Sequence, residues 1–405
     1  MRVKPAKKSA TFSSLTVPAY RQWFLSQVLS ASGTMTQIVA LSWLVLQLTH
    51  SGVDLGLLST AALTPMLLAG PWAGALVDRV DRRHLLIATQ SLYIALSVLL
   101  GVVASTGTVR VWMIFSIAFA SGVVGAPDTA ARQVYVNDLV GADRLSSAVS
   151  LNEVVINASR VVGPALGGLL LATVGVSACI WFNAASFVPS LLVLISHRRL
   201  ATSQHERRGL EHDGRFAVGW RYAWRDPTIR LMLFLAAASG MLFNMNVSLP
   251  LVASRVFHLG GGGFGLMMSA FGVGGVLGGV IAAGRQAPRR SSVVWLAVAS
   301  ALAVIVSSVA RNVGEFYVGM ALTGTTSIWF IARANTLVQR ETSPALRGRV
   351  MAVWSMALPG MMPLTSPLVG WVGNTLGPRE GFALAGAAML VIAGVGMVRR
   401  RPTSG

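Results

Sequence analysis

Apolar runs of about 20 residues recur along the whole 405-residue chain, each long enough to cross a hydrocarbon core about 30 Å thick. No water pairs with backbone groups inside lipid, so such runs must be helices or strands of a closed barrel. Barrel strands are about 10 residues long with strict alternation, and these runs show neither property. The chain therefore reads as an all-α membrane protein rather than one or two soluble domains. Its composition agrees, with 54% hydrophobic and 12% charged residues.

Hydropathy places twelve spans near residues 22–48, 55–77, 84–105, 111–131, 146–172 and 177–196, then 229–250, 263–284, 292–310, 315–338, 346–371 and 380–398. The basic start, MRVKPAKKSATFSSL, precedes a first run too long for the core of a cleaved signal, so that run reads as a retained helix. In a soluble protein a net charge of +19 would point to nucleic acid. Here the charge lies between the apolar runs, and no nucleic-acid partner is expected. With both termini cytoplasmic, the inward segments hold 28 of the 33 lysines and arginines. Only Arg110, Arg255, Arg311 and Arg379 face outward, and Arg160 lies inside a span. That bias is the positive-inside rule, and a one-span error would scramble it.

A long basic connection divides the spans into residues 1–196, a linker at 197–228, and residues 229–405. Within the linker, GRFAVGWRYAWRD sets Phe216, Trp220 and Ala223 or Trp224 on one face and arginines elsewhere, the pattern of a helix lying along the membrane surface. The halves also echo each other at an offset of about 200 residues. GPALGG (163–168) matches SPLVGW (366–371), Ala131-Arg132 matches Ala332-Arg333, and Arg82-Arg83 matches Arg289-Arg290. Three matches in the same order imply parallel repeats, the arrangement of two-lobed transporters with a central site.

The sharpest motif, GALVDRVDRRHLL, falls between the second and third spans. Gly74 there allows close helix contact. Asp78 can accept hydrogen bonds from a neighbouring helix N-terminus, while Arg79, Arg82 and Arg83 hold the turn at the cytoplasmic face. A second motif, NASRVVGPALGG, makes a smooth strip of Gly163, Gly167 and Gly168 on the fifth span, bent at Pro164.

Together these motifs resemble the major facilitator superfamily. The first is similar to its loop signature G-x-L-x-D-R-x-x-R-R, with Asp81 where the family usually has glycine. This D-R-x-D-R-R form, the linker and LRGRVMA (346–352) are similar to the enterobactin-exporter and macrolide-efflux branch. The second resembles the antiporter signature G-x-x-x-G-P-x-x-G-G, with Ser159 replacing its first glycine. The resemblance covers roughly residues 20–398 and implies twelve transmembrane helices in two six-helix lobes, alternating access and a cavity between the lobes. It also implies a multi-pass protein of the bacterial inner membrane, working as a monomer and exporting a drug, macrolide or siderophore against protons. An importer or a differently coupled facilitator would use the same fold.

Acids inside a span are costly and call for a functional reading with a named partner. Asp128, after Pro127 in the fourth span, is expected to reach Arg79, Arg82 or Arg83, as a gating ion pair or as a proton carrier. Glu153 and Arg160 are seven residues apart on the fifth span, which suits either a proton site or an internal clamp. Many proton-coupled exporters of the superfamily carry an arginine midway along the fourth span, and VWMIFSIAFASGVVGAPD has none. By the same resemblance the substrate cavity takes Gln37 and Trp43, Asn244 and Asn246, and Thr326 and Trp329, with Pro250 expected to break the seventh span. Each of these polar groups can equally serve a neighbouring helix.

Other classes find no support. The histidines, His50, His84, His197, His205, His212 and His258, sit in loops or at span ends, so no metal, cofactor or embedded enzyme is expected. No G-x-x-x-x-G-K-[ST] run suggests ATP-driven transport, and no filter or charged ring suggests a channel. Cys179, the single cysteine, reads as small core filler.

Overall fold

The structure, a computed structural model, describes residues 12–196, 215–284 and 287–398. Much of the basic N-tail, the linker through residue 214 with its three histidines, Arg285 and the basic C-tail lie outside the described residues. The helices are α1 Pro18–Thr49, α2 Gly52–Arg79, α3 Arg82–Ser105, α4 Val111–Val140, α5 Leu145–Thr173 and α6 Val176–Ser196. They continue with α7 Arg215–Arg225, α8 Pro227–Leu242, α9 Met245–Leu251, α10 Gly261–Ala282, α11 Arg290–Ser308, α12 Val313–Glu341, α13 Arg347–Thr375 and α14 Pro378–Val398. A π-helical turn, Val252–Val256, prolongs α9.

The apolar runs coincide with these helices. Among the described residues, 10 helical stretches are long and apolar enough to span a membrane, one of them running from Pro227 to Val256 through α8, α9 and the π turn. α12 and α13, at 29 residues each, are not among the 10. Two boundaries move. Residues 132–140 and 339–341, beyond the expected spans 111–131 and 315–338, continue α4 and α12. Charged side chains do not end a helix; a breaker does. α4 stops at Gly141, whose φ of 70° suits glycine, and α12 stops at extended Thr342, two residues before Pro344.

The described residues pack as two compact units, one within Met1–Ala40 and Thr64–Arg208, the other within Leu41–Leu63 and Gly209–Gly405. The division cuts across α1 and α2. In the first unit α3 packs on α4 and α6 around fully buried Leu86, Leu100, Ile114, Ile180 and Leu194. In the second, α10 lies on α12 so closely that a Cβ on Gly274 or Gly278 would overlap the backbone at Ala321 or Thr325.

One contact appears in both units. Arg83, in the first turn of α3, donates to the carbonyls of Leu194 (2.6 Å) and Ile195 (3.2 Å) in the last turn of α6. Arg290, which opens α11, donates to the carbonyl of Gly396 (3.3 Å) near the end of α14. A cation there satisfies carbonyls that a helix C-terminus leaves unpaired.

Prolines 359, 363 and 367 recur every fourth residue inside α13. Each lacks an N–H, so each frees the carbonyl four residues earlier. Thr60 Oγ1 of α2 donates to one such carbonyl, that of Pro363, at 2.8 Å. The same stretch of α2 sits against the α13 backbone through Gly52 and Gly56, and the Gly52 N–H reaches Asn374 Oδ1 at 3.0 Å.

Candidate functional site

The chemistry of the first unit centres on Asp128, which is 5% exposed. Its Oδ1 accepts from Thr89 Oγ1 (2.7 Å) and Gln90 Nε2 (2.9 Å) of α3, and its Oδ2 from Arg132 Nε (2.5 Å) one turn along α4. The Arg132 guanidinium lies 5.9 Å over the Trp23 ring, which meets Tyr135 edge-on at 5.1 Å. The expected pairing of Asp128 with the loop arginines is therefore replaced by a pair within its own helix. A fourth span that ends at residue 131 leaves Arg132 outside it and hides the i,i+4 spacing that α4 provides. Arg82 instead pairs with Asp138 at 3.0 Å, and Arg83 serves α6 as described. A carboxylate with three donors is a held charge, and removing one partner of such a pair costs about 3–5 kcal/mol.

The remaining loop residues divide. Asp81 caps α3, its Oδ1 accepting the His84 N–H at 2.9 Å, so the departure from the family's glycine has a local use. The side chains of Asp78 and Arg79 are exposed and make no hydrogen bond among the described residues, so the helix N-terminus expected for Asp78 is not met. A Cβ on Gly74 would find nothing within 4 Å, so its expected helix contact is also not made.

The strip on α5 does pack closely. A Cβ on Gly163 would lie 2.8 Å from the Ser32 carbonyl of α1 and nearer still to Met35; one on Gly167 would lie 3.3 Å from Thr36. Thr36 Oγ1 donates to the Gly163 carbonyl at 2.9 Å. Pro164 lies inside α5, and Gly168 is buried. On the same helix Glu153 is exposed and Arg160 half-buried, and no ion pair joins them among the described residues.

The cavity candidates make separate contacts. In the first unit, Gln37 Oε1 accepts from Asn183 Nδ2 at 2.7 Å, and that amide also donates to Ser97 Oγ at 3.1 Å. In the second, Trp43 and Trp329 are half-buried, and Thr326 Oγ1 donates to its own helix at Leu322 (2.9 Å). Asn244 is buried and bridges to α13: its Nδ2 donates to Thr365 Oγ1 (2.9 Å) and its Oδ1 accepts from Ser366 Oγ (2.7 Å). The break in this span falls beside that amide, at Phe243 and Asn244, while Pro250 stays inside α9. Asn246 follows the break, with a buried Oδ1 that no donor reaches. Within the second unit, no hydrogen bond joins any two of its five candidates among the described residues. Thr89, Gln90 and Asn183 complete the polar contacts and carry no motif in the sequence, while Arg132 and Ser366 stand out there only as repeat matches.

A family model described as transmembrane secretion effector matches residues 9–404. The staphyloferrin A transporter of Staphylococcus aureus is 24% identical over 92% of this chain and 94% of its own length. The multidrug efflux pump Tap of Mycolicibacterium fortuitum is 25% identical over 90% and 91%. The enterobactin exporter EntS of Citrobacter koseri is 24% identical over 93% and 90%. Among solved structures, a POT family transporter in complex with a thioalcohol-conjugated peptide superposes with TM-score 0.75 at 10% identity, covering 93% of this chain and 95% of that one. A bacterial homologue of the iron transporter ferroportin, in its inward-facing state, gives 0.69 at 16% identity over 94% and 98%. At these identities the structural likeness speaks for the fold.

Proposed function

Because the chain belongs to the transmembrane secretion effector family of the major facilitator superfamily, a family of multi-pass membrane transporters and not of enzymes, we propose that it exports an amphiphilic small molecule by proton antiport and alternating access. The observation that carries the direction is the seating of Gly163 and Gly167 on α1, the packing that the antiporter-type strip requires. Relatives named as an efflux pump and an exporter, each matched over about nine-tenths of both chains, support it. In this reading the chain spans the bacterial inner membrane twelve times with both termini cytoplasmic, works as a monomer, and divides into lobes at 1–196 and 229–405 joined by 197–228.

The proton reading rests on the contrast between two acids. Asp128 is held by three donors and serves as a structural or gating charge. Glu153 has no ion-pair partner among the described residues and is the proposed carrier, with Arg160 on its helix. One proton moving down about 100 mV supplies about 2.3 kcal/mol. The test is transport in energised everted vesicles and proteoliposomes with macrolides, tetracyclines, dyes and siderophores. Uphill movement of one class with substrate-evoked proton flux is expected, and Glu153→Gln should abolish that flux. Flux that survives the substitution removes Glu153 as carrier; a panel that never moves uphill removes the exporter reading.

A further inference from the structure

The second unit contains a cavity of about 520 Å³ between α7, α8, α13 and α14, within the range of about 300–1,000 Å³ typical of small-molecule sites. α7 forms one wall because glycine lets it lie on α13: a Cβ on Gly219 would come within 2.6 Å of the Arg349 carbonyl. That contact turns Gly219 and Ala223 inward and leaves Trp220 and Trp224 half-exposed at the cavity. The two indoles stack at 5.5 Å, and Trp224 meets Phe234 of α8 edge-on at 5.6 Å. Met356 and Gly360 of α13 stand among the facing residues.

The lining is almost wholly apolar, with one cation. Arg230 spends a single N–H on the Trp224 carbonyl (3.2 Å), leaving other donors of its fork unused among the described residues. Arg221 and Arg225 are exposed on α7. The nearest acid in sequence, Asp226, is committed to capping α8, accepting from Thr228 (2.8 Å) and Ile229 (2.9 Å). Indoles beside arginines at the end of an apolar helix are the chemistry of a membrane–water interface.

We propose that this cavity is a binding site for an anionic phospholipid, one acyl chain lying between the indoles and α13 and the phosphate held by Arg230. Charge complementarity chooses the occupant: a zwitterionic lipid would bring its own cation to a site whose one lining charge is the Arg230 guanidinium. The inference needs only that the chain is embedded in a bilayer, so it stands or falls apart from the direction or substrate of transport.

The experiment is tryptophan quenching of full-length protein in liposomes containing brominated phosphatidylglycerol or brominated phosphatidylcholine. The wild type should favour phosphatidylglycerol by about fivefold, the size expected for one arginine near an anionic headgroup. Arg230→Gln should bring the preference to about one. Gly360→Leu should remove the selective quenching by filling the cavity, and its Cβ has room, meeting nothing within 4 Å. Replacing Trp220 and Trp224 together by Phe should remove the selective component and leave the background from the other indoles. Equal quenching by both lipids in the wild type, or a preference that survives Gly360→Leu, overturns the proposal. Displacement of the brominated lipid by a transported compound would assign the cavity to substrate instead, and also overturns it.

Discussion

The two units carry the same pattern, GPALGG in α5 and SPLVGW in α13, and fasten it by different means. At Gly163 there is no side chain, so α1 comes in until Thr36 bonds the Gly163 carbonyl itself. Its counterpart, Ser366, keeps a side chain, and its hydroxyl donates to Asn244 Oδ1 at the break between α8 and α9. One position on from Pro127, α4 carries Asp128, four residues before Arg132; four residues before Arg333, α12 carries Trp329. A repeated scaffold thus fixes where helices meet and leaves open what holds them. Backbone contact tolerates no added atom. A side-chain bridge tolerates loss, because each partner keeps another bond.

The charged arrangement in α4 should be the most sensitive. Arg132→Leu leaves Asp128 buried with two neutral donors, and a loss of about 3–5 kcal/mol is expected, read as a fall in thermal unfolding temperature in detergent. Adding Asp128→Asn should restore at least half of it; no restoration would show that Arg132 acts through Trp23 packing instead. Gly163→Leu comes next. It must move the Ser32 backbone, and overpacking of this kind costs about 1–3 kcal/mol, whereas Gly163→Ser, the residue of the second unit, should be milder. Equal tolerance of both would erase the contrast between the two seams. Asn244→Ala should cost least, about 0.6–1.7 kcal/mol. Thr365 still donates to the Met361 carbonyl (2.8 Å), and the single hydroxyl proton of Ser366 can turn to the Met362 carbonyl (2.6 Å). A loss as large as that of Arg132→Leu would mean that the amide holds the α8–α9 break itself.

The helices were legible because lipid solubility is written into every run, whatever each residue touches. The partners of the charges were less so. Asp128 was identified as a buried acid, but reading Arg132 as loop separated the two, since a membrane boundary was taken for a helix boundary. The break of the seventh span was placed at Pro250, where a donor is missing. It falls at Asn244, where a partner on α13 is present, and only tertiary structure supplies that information. Gly74 and Asp78 show the converse: a motif that promises contacts, with open space at the glycine. The linker segment 214–226 reads as amphipathic in sequence, and a helix runs through it from Arg215 to Arg225. Its inner face, however, is Gly219 and Ala223, and the indoles stand to the side.

The three prolines of α13 leave a last mark on how that helix can move. Removing a rung every four residues takes all three from nearly the same side, since four residues turn a helix by little more than one revolution. Along that side the helix is a ladder with gaps, and along the opposite side it is intact. Such an element yields in one plane and resists in the other. The hydroxyl of Thr60, resting in one of the gaps, then acts as a wedge whose removal costs little but changes the set of the bend.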